Sequence, residues 1–161
     1  MTWSIAPSAT RVERAGPDAA TDRVRRQTAA NLAYYARHHE AIDVRLAELE
    51  REWDIERALQ ANAAALTLAS TLLAKAGYRA AGWLPALVGG FLLQHALQGW
   101  CPPMPVLRRM GFRTAREIAV ERAALQALRG DFDDVDRLNP DFSAERALIA
   151  AESATAPDGL P

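Results

Sequence analysis

The reading of the fold turns on ALQANAAALTLASTLLA, residues 58–74, and AAGWLPALVGGFLLQHALQGWCPPMPVL, residues 80–107. Neither run contains Asp, Glu, Lys or Arg, and their lengths of 17 and 28 residues bracket the roughly 20 apolar residues with which an α-helix crosses a hydrocarbon core. Gly77 stands at the C′ position of a first helix, Ala58 to about Ala76, with Tyr78 and Arg79 in the turn. Pro85 is tolerated in the first turn of a second helix, about Gly82 to Trp100. The two runs therefore predict a helical hairpin. Ala61, Ala63, Ala64, Ala65, Ala69 and Ser70 on one helix and Ala86, Gly89, Gly90 and Ala96 on the other allow close backbone approach in lipid. Trp83 and Trp100 bracket the second run, as amphipathic rings do at the two faces of a bilayer.

Orientation follows from the flanking cations. Arg45, Arg51 and Arg57 precede the hairpin and Arg108, Arg109, Arg113 and Arg116 follow it, against Lys75 and Arg79 in the turn, so the positive-inside rule places both termini in the cytoplasm. Gln60, Asn62, Gln94, His95 and Gln98 oppose insertion, and a helix buried in a soluble bundle is also apolar all round, so a soluble helical bundle is the alternative architecture.

The whole chain bounds the rest. At 161 residues it holds about one domain, and its apolar content is mainly Ala and Leu, which favours helices. With 19 Lys+Arg against 20 Asp+Glu and a net charge of -1, it lacks the basic field of a nucleic-acid partner. Its single cysteine excludes an intrachain disulfide and a zinc site built on cysteine pairs. Residues 1–20 carry Arg11, Glu13, Arg14 and Asp18 and no apolar run, so they read as a disordered N-terminus without a targeting signal, and insertion uses the internal segments.

Residues 21–56 read as one amphipathic, coiled-coil-like helix: Leu32, Tyr35, His39, Ile42, Leu46, Leu49 and Trp53 follow steps of three and four. That seam closes either on a helix of the same chain or on a second copy. The hairpin occupies 57–112. Cys101-Pro-Pro-Met-Pro105 leaves it as an extended or polyproline-like segment. A C-terminal helical segment covers 113–152; Thr114 and Glu117 form a capping box, Ile118, Leu125 and Leu128 share one face, and Gly130 ends the helix. Asp131, Asp133, Asp134 and Asp136 form an acidic linker, a second helix starts near Ser143, and 153–161 is a disordered tail.

Few residues offer chemistry. Cys101 is the candidate thiol; the basic cluster Arg108, Arg109 and Arg113 would lower its pKa if the proline segment folded back. Gln94, His95 and Gln98, with Cys101 beyond them, form a polar stripe in the second helix, and Asn62 lies at similar depth as its pairing partner. The alternative is a polar pathway for a small anion. His38 and His39 point about 100° apart and cannot chelate one metal from one helix. No phosphate loop, nucleophile elbow or HExxH occurs, so no catalytic residue, metal or cofactor is expected.

Glu52-Trp-Asp-Ile-Glu-Arg-Ala-Leu59, Trp83-Leu-Pro85 and Phe91-Leu-Leu-Gln-His-Ala-Leu-Gln-Gly-Trp-Cys-Pro-Pro103 resemble the bacterial YgaP-like transmembrane domain family over about residues 52–112. The counterparts of its motif are Glu56 and Arg57 before the first span, Gly99, Cys101 and Pro102 after the second, then Leu107 and Gly111. The resemblance implies an inner-membrane hairpin of unknown function that associates as a dimer. Some members carry a rhodanese domain; Cys101 lies at a membrane exit and not in a catalytic loop, so sulfurtransferase activity does not follow. Together these readings predict an all-α chain: a cytoplasmic heptad helix, a two-helix transmembrane hairpin and a C-terminal amphipathic helix. It acts as a small scaffold or interaction protein, with membrane lipid and a second copy as partners. A thiol or sulfur relay through Cys101 is the enzyme-like alternative.

Overall fold

The computed structural model describes residues 10–133 and 146–149. The chain is all-α, and no strand occurs among the described residues. The helices are α1 (Arg11–Ala15), α2 (Asp18–Tyr35), α3 (Ile42–Arg51), α4 (Ile55–Lys75), α5 (Leu84–Gln98), α6 (Met104–Arg109) and α7 (Ala115–Arg129). They divide into two compact units, Met1–Arg25 with Trp53–Glu117 and Arg26–Glu52 with Ile118–Pro161.

The first unit contains the hairpin. Asp54 starts α4: its carboxylate accepts the Arg57 N–H at 2.6 Å, and the Ile55 N–H donates to the Arg113 carbonyl at 2.9 Å. The helix ends as the sequence predicts. Gly77 takes φ +106°, the Gly77 N–H returns to Ala74 and the Tyr78 N–H to Leu73, which satisfies carbonyls that a helix end leaves open. A 3-10 stretch, Arg79–Trp83, leads into α5. Replacing Asp54 by Ala is expected to cost about 1 kcal/mol by removing the cap, read as a lowered thermal midpoint in detergent.

The outward surface of the hairpin is apolar. Leu68 is 63% exposed, Leu93 62% and Trp83 80%, and only 6% of the stretch Arg79–Gln98 is buried within the chain. Among the described residues, Arg79–Gln98 is the one helical stretch both long and apolar enough to cross a membrane. α4 has the length, but Gln60, Asn62, Thr67, Ser70 and Thr71 dilute its apolar character.

At the hairpin base Val12, Ile55, Ala58, Leu59, Cys101, Met104 and Leu107 form a buried cluster. Two expectations change here. The segment taken as disordered to residue 20 is helical from Arg11, because Val12 finds a buried place that composition cannot foresee. The proline segment does not run out extended: Pro103 has φ -74° and ψ -18°, and Pro105 sits in the first turn of α6, where its missing N–H needs no partner.

The second unit corrects the single helix expected over 21–56. α2 stops at Tyr35, a 3-10 turn spans His39–Ala41, and α3 ends before Glu52. The two histidines close the break: the His38 ring bonds the Tyr34 carbonyl at 2.9 Å and stacks on the Tyr34 ring, and the His39 ring bonds the Ala36 carbonyl at 3.0 Å. Ile42, Leu46 and Leu49 then pack on Ile118 and Leu125 of α7, so this part of the seam closes within one chain. Glu121, fully buried, accepts from Arg45 and from Asn31 at 3.0 Å each. α7 ends at Gly130 with φ +91°, as expected, and Arg129 binds both Asp43 and Asp131. Asp134 and Asp136, the helix start near Ser143 and the 153–161 tail lie outside the described residues; residues 146–149 are helical.

Candidate functional site

Most of the candidate residues lie at the hairpin base, but not in the arrangement the stripe predicts. α5 ends at Gln98 and Gly99 takes φ +77°, a left-handed turn that carries Cys101 out of helical register with Gln94, His95 and Gln98. Gln94 is half-buried, His95 buried and Gln98 exposed. Asn62 does not reach them. It is exposed, and its amide donates at 2.8 Å to the Ala58 carbonyl on its own helix, the local bond open to a short polar side chain in a helix. His95 is 7% exposed, and neither ring nitrogen has a hydrogen-bond partner among the described residues. The charges acting on its ring come from Arg11 and Glu56, which form an ion pair at 3.8 Å.

Cys101 is 3% exposed, inside the apolar cluster. Burial pushes its thiol pKa up, and a backbone hydrogen bond with Met104 opposes the shift only in part. The thiol is therefore held protonated, the opposite of the activated state a relay uses. The expected basic cluster is also dispersed. Arg109 is exposed, Arg113 is buried with its carbonyl holding the start of α4, and the Arg108 guanidinium is committed elsewhere. It forks onto Glu117 at 2.6 and 2.8 Å and reaches the Phe112 carbonyl at 3.3 Å and the Thr21 hydroxyl at 3.2 Å. The capping box completes this network: the Thr114 N–H donates to Glu117 at 2.8 Å and the Glu117 N–H to the Thr114 hydroxyl at 3.1 Å. A bidentate pair on side chains 1% and 10% exposed is a structural tie between α6 and α7.

Sequence reasoning missed Arg11 as part of the site, and it had marked Glu56 only as part of a motif. No local pattern signals either, because their partners come from distant elements. Along one face of the hairpin runs an apolar groove of about 450 Å³, lined by Leu59, Ala63, Leu66, Val88, Phe91 and the Cys101–Pro103 turn, among others. Its walls suit hydrocarbon better than a polar substrate. Among the described residues, no three His, Cys, Asp or Glu side chains are grouped to hold a metal ion.

The site is thus an all-α hairpin with an apolar exterior and a buried polar tie at its base. Residues 54–117 match the family model described as "Inner membrane protein YgaP-like, transmembrane domain", so this segment is a YgaP-like transmembrane domain, as the Gly99-Trp-Cys-Pro102 motif and its surroundings predict. No curated protein and no solved structure matches the chain.

Proposed function

We propose that the chain is a membrane-anchored scaffold without catalytic activity, inserted as a two-helix hairpin with both termini on the cytoplasmic side. The observation that carries this reading is the exposed apolar exterior of the hairpin, where large side chains such as Leu68 and Leu93 find no cover among the described residues. In water such a surface would associate or aggregate; in lipid it is at home. α4 inserts by pairing with α5, the two helices forming the hairpin contact. Trp53 and Trp100 lie at the base, Tyr78 and Trp83 at the turn, and the Arg57 guanidinium covers the Trp53 ring at 4.7 Å, consistent with two interfacial belts. A second copy is the proposed protein partner. A Cβ at Gly89 or Gly90 would meet nothing within 4 Å, which leaves this face of α5 open to close helix approach.

The thiol relay and the anion pathway gain no support from a buried, protonated Cys101 or from an Asn62 bonded to its own helix. Topology is tested by placing single cysteines in a Cys101→Ala background. An impermeant maleimide is expected to label Tyr78→Cys in intact spheroplasts and Arg109→Cys only after the membrane is opened. The reverse pattern would overturn the orientation.

A further inference from the structure

We propose that α1 is a releasable strap over the hairpin base, and that lifting it opens the corner holding Cys101 and His95 to water. The proposal rests on the reading that this base lies at the membrane–water boundary. α1 is five residues long and is joined to α2 through Gly16 and Pro17. Two apolar side chains seat it: Val12, 3% exposed and in the same cluster as Cys101, and Ala15, partly buried against that cluster. Its backbone lies against Gly99, where an added Cβ would run into the Arg11 carbonyl. Arg11 also pairs with Glu56, and its charge acts on the His95 ring.

Three polar contacts of the strap are long. Arg11 meets Glu56 at 3.8 Å, Arg116 meets Glu13 at 3.9 Å, and the Thr114 hydroxyl donates to Glu13 at 3.3 Å. Ion pairs held at such distances on side chains that keep some contact with water contribute little and are weakened by salt. The bidentate Arg108–Glu117 tie, at 2.6 and 2.8 Å, is in contrast almost fully buried. Opening of α1 therefore breaks the Val12 and Ala15 seat and these long contacts while the Arg108–Glu117 tie stays in place. Beneath the strap lie the single thiol of the chain and an imidazole whose two nitrogens, and a Glu56 oxygen, have no hydrogen-bond partner among the described residues. Buried polar atoms left open in this way weaken the closed state and gain partners once water enters.

The test is the rate at which a water-soluble maleimide modifies Cys101 in the full-length protein in detergent micelles, a readout independent of membrane orientation. Wild type is expected to react slowly. Val12→Asp is expected to react at least about tenfold faster with its helix content unchanged, since local opening governs access to a buried group. Val44→Asp, on a side chain 64% exposed in the other unit, leaves the rate unchanged. Wild type in about 1 M salt also reacts faster, through screening of the strap's ion pairs, which keeps the test free of mutation. An unchanged rate in both Val12→Asp and high salt, or labelling that rises only in step with global loss of helix, would overturn the strap.

Discussion

Replacing Glu117 by Ala is expected to destabilise the hairpin unit by about 3–5 kcal/mol, because it leaves the Arg108 guanidinium buried without its carboxylate. The side chain of Arg108 is 1% exposed, and Glu117 supplies two of its four hydrogen bonds. The same substitution removes the reciprocal half of the capping box at Thr114, so two effects act in one direction. Chemical unfolding in detergent, followed by circular dichroism, reads the loss. The double replacement of Arg108 by Met and Glu117 by Leu is expected to recover much of it, since a well-packed apolar pair often equals a buried ion pair in stability. A single substitution costing under about 1 kcal/mol would show that the pair is not a buried tie.

The second large effect lies on the opposite kind of surface. Leu93 is 62% exposed towards the middle of the span between Trp83 and Trp100, and Leu93→Arg puts a cation on its outward side. Arginine near the centre of a membrane helix costs roughly 2.5–3.5 kcal/mol on insertion scales, enough to shift most of the chain out of the inserted state if insertion is marginal. Val44→Arg, on a side chain 64% exposed in α3, is expected to change nothing. Membrane recovery of the two variants is the comparison. Were both substitutions silent, the outer face of the hairpin would be a water-facing surface.

Local chemistry made much of the hairpin readable. Charge-free runs located the two helices, Gly77 and Gly130 marked helix ends that do adopt positive φ, and Thr114 with Glu117 announced a cap that forms with both bonds. The Gly99-Trp-Cys-Pro102 motif pointed to the right family. What escaped depends on distant partners. α1 exists because Val12 fills a space between residues more than 40 positions away, and a segment of low apolar content gives no sign of that. The helix expected over 21–56 breaks because His38 and His39 take carbonyls of the preceding turn, a competition invisible to heptad spacing. Proline content argued for an extended exit, yet Pro105 lies at a first-turn position where a helix accepts it.

The same division holds for the site. Cys101, His95 and Arg108 were singled out by residue type, but whether a thiol is activated depends on whether a guanidinium is turned towards it. Here Arg108 points to Glu117, Phe112 and Thr21, and Cys101 faces apolar side chains. Helical spacing placed Cys101 on a stripe with His95, and the left-handed turn at Gly99 removed it. These are tertiary and backbone effects acting over a few ångströms, beneath the resolution of periodicity.

Carbonate extraction of membranes from cells expressing the full chain tests the central claim most directly. The account predicts that the protein stays in the pellet at alkaline pH and is released only by detergent, because the apolar exterior of α4 and α5 is held by hydrocarbon. Quantitative release into the supernatant would contradict it and would require the exposed leucines of the hairpin to be covered by another protein surface.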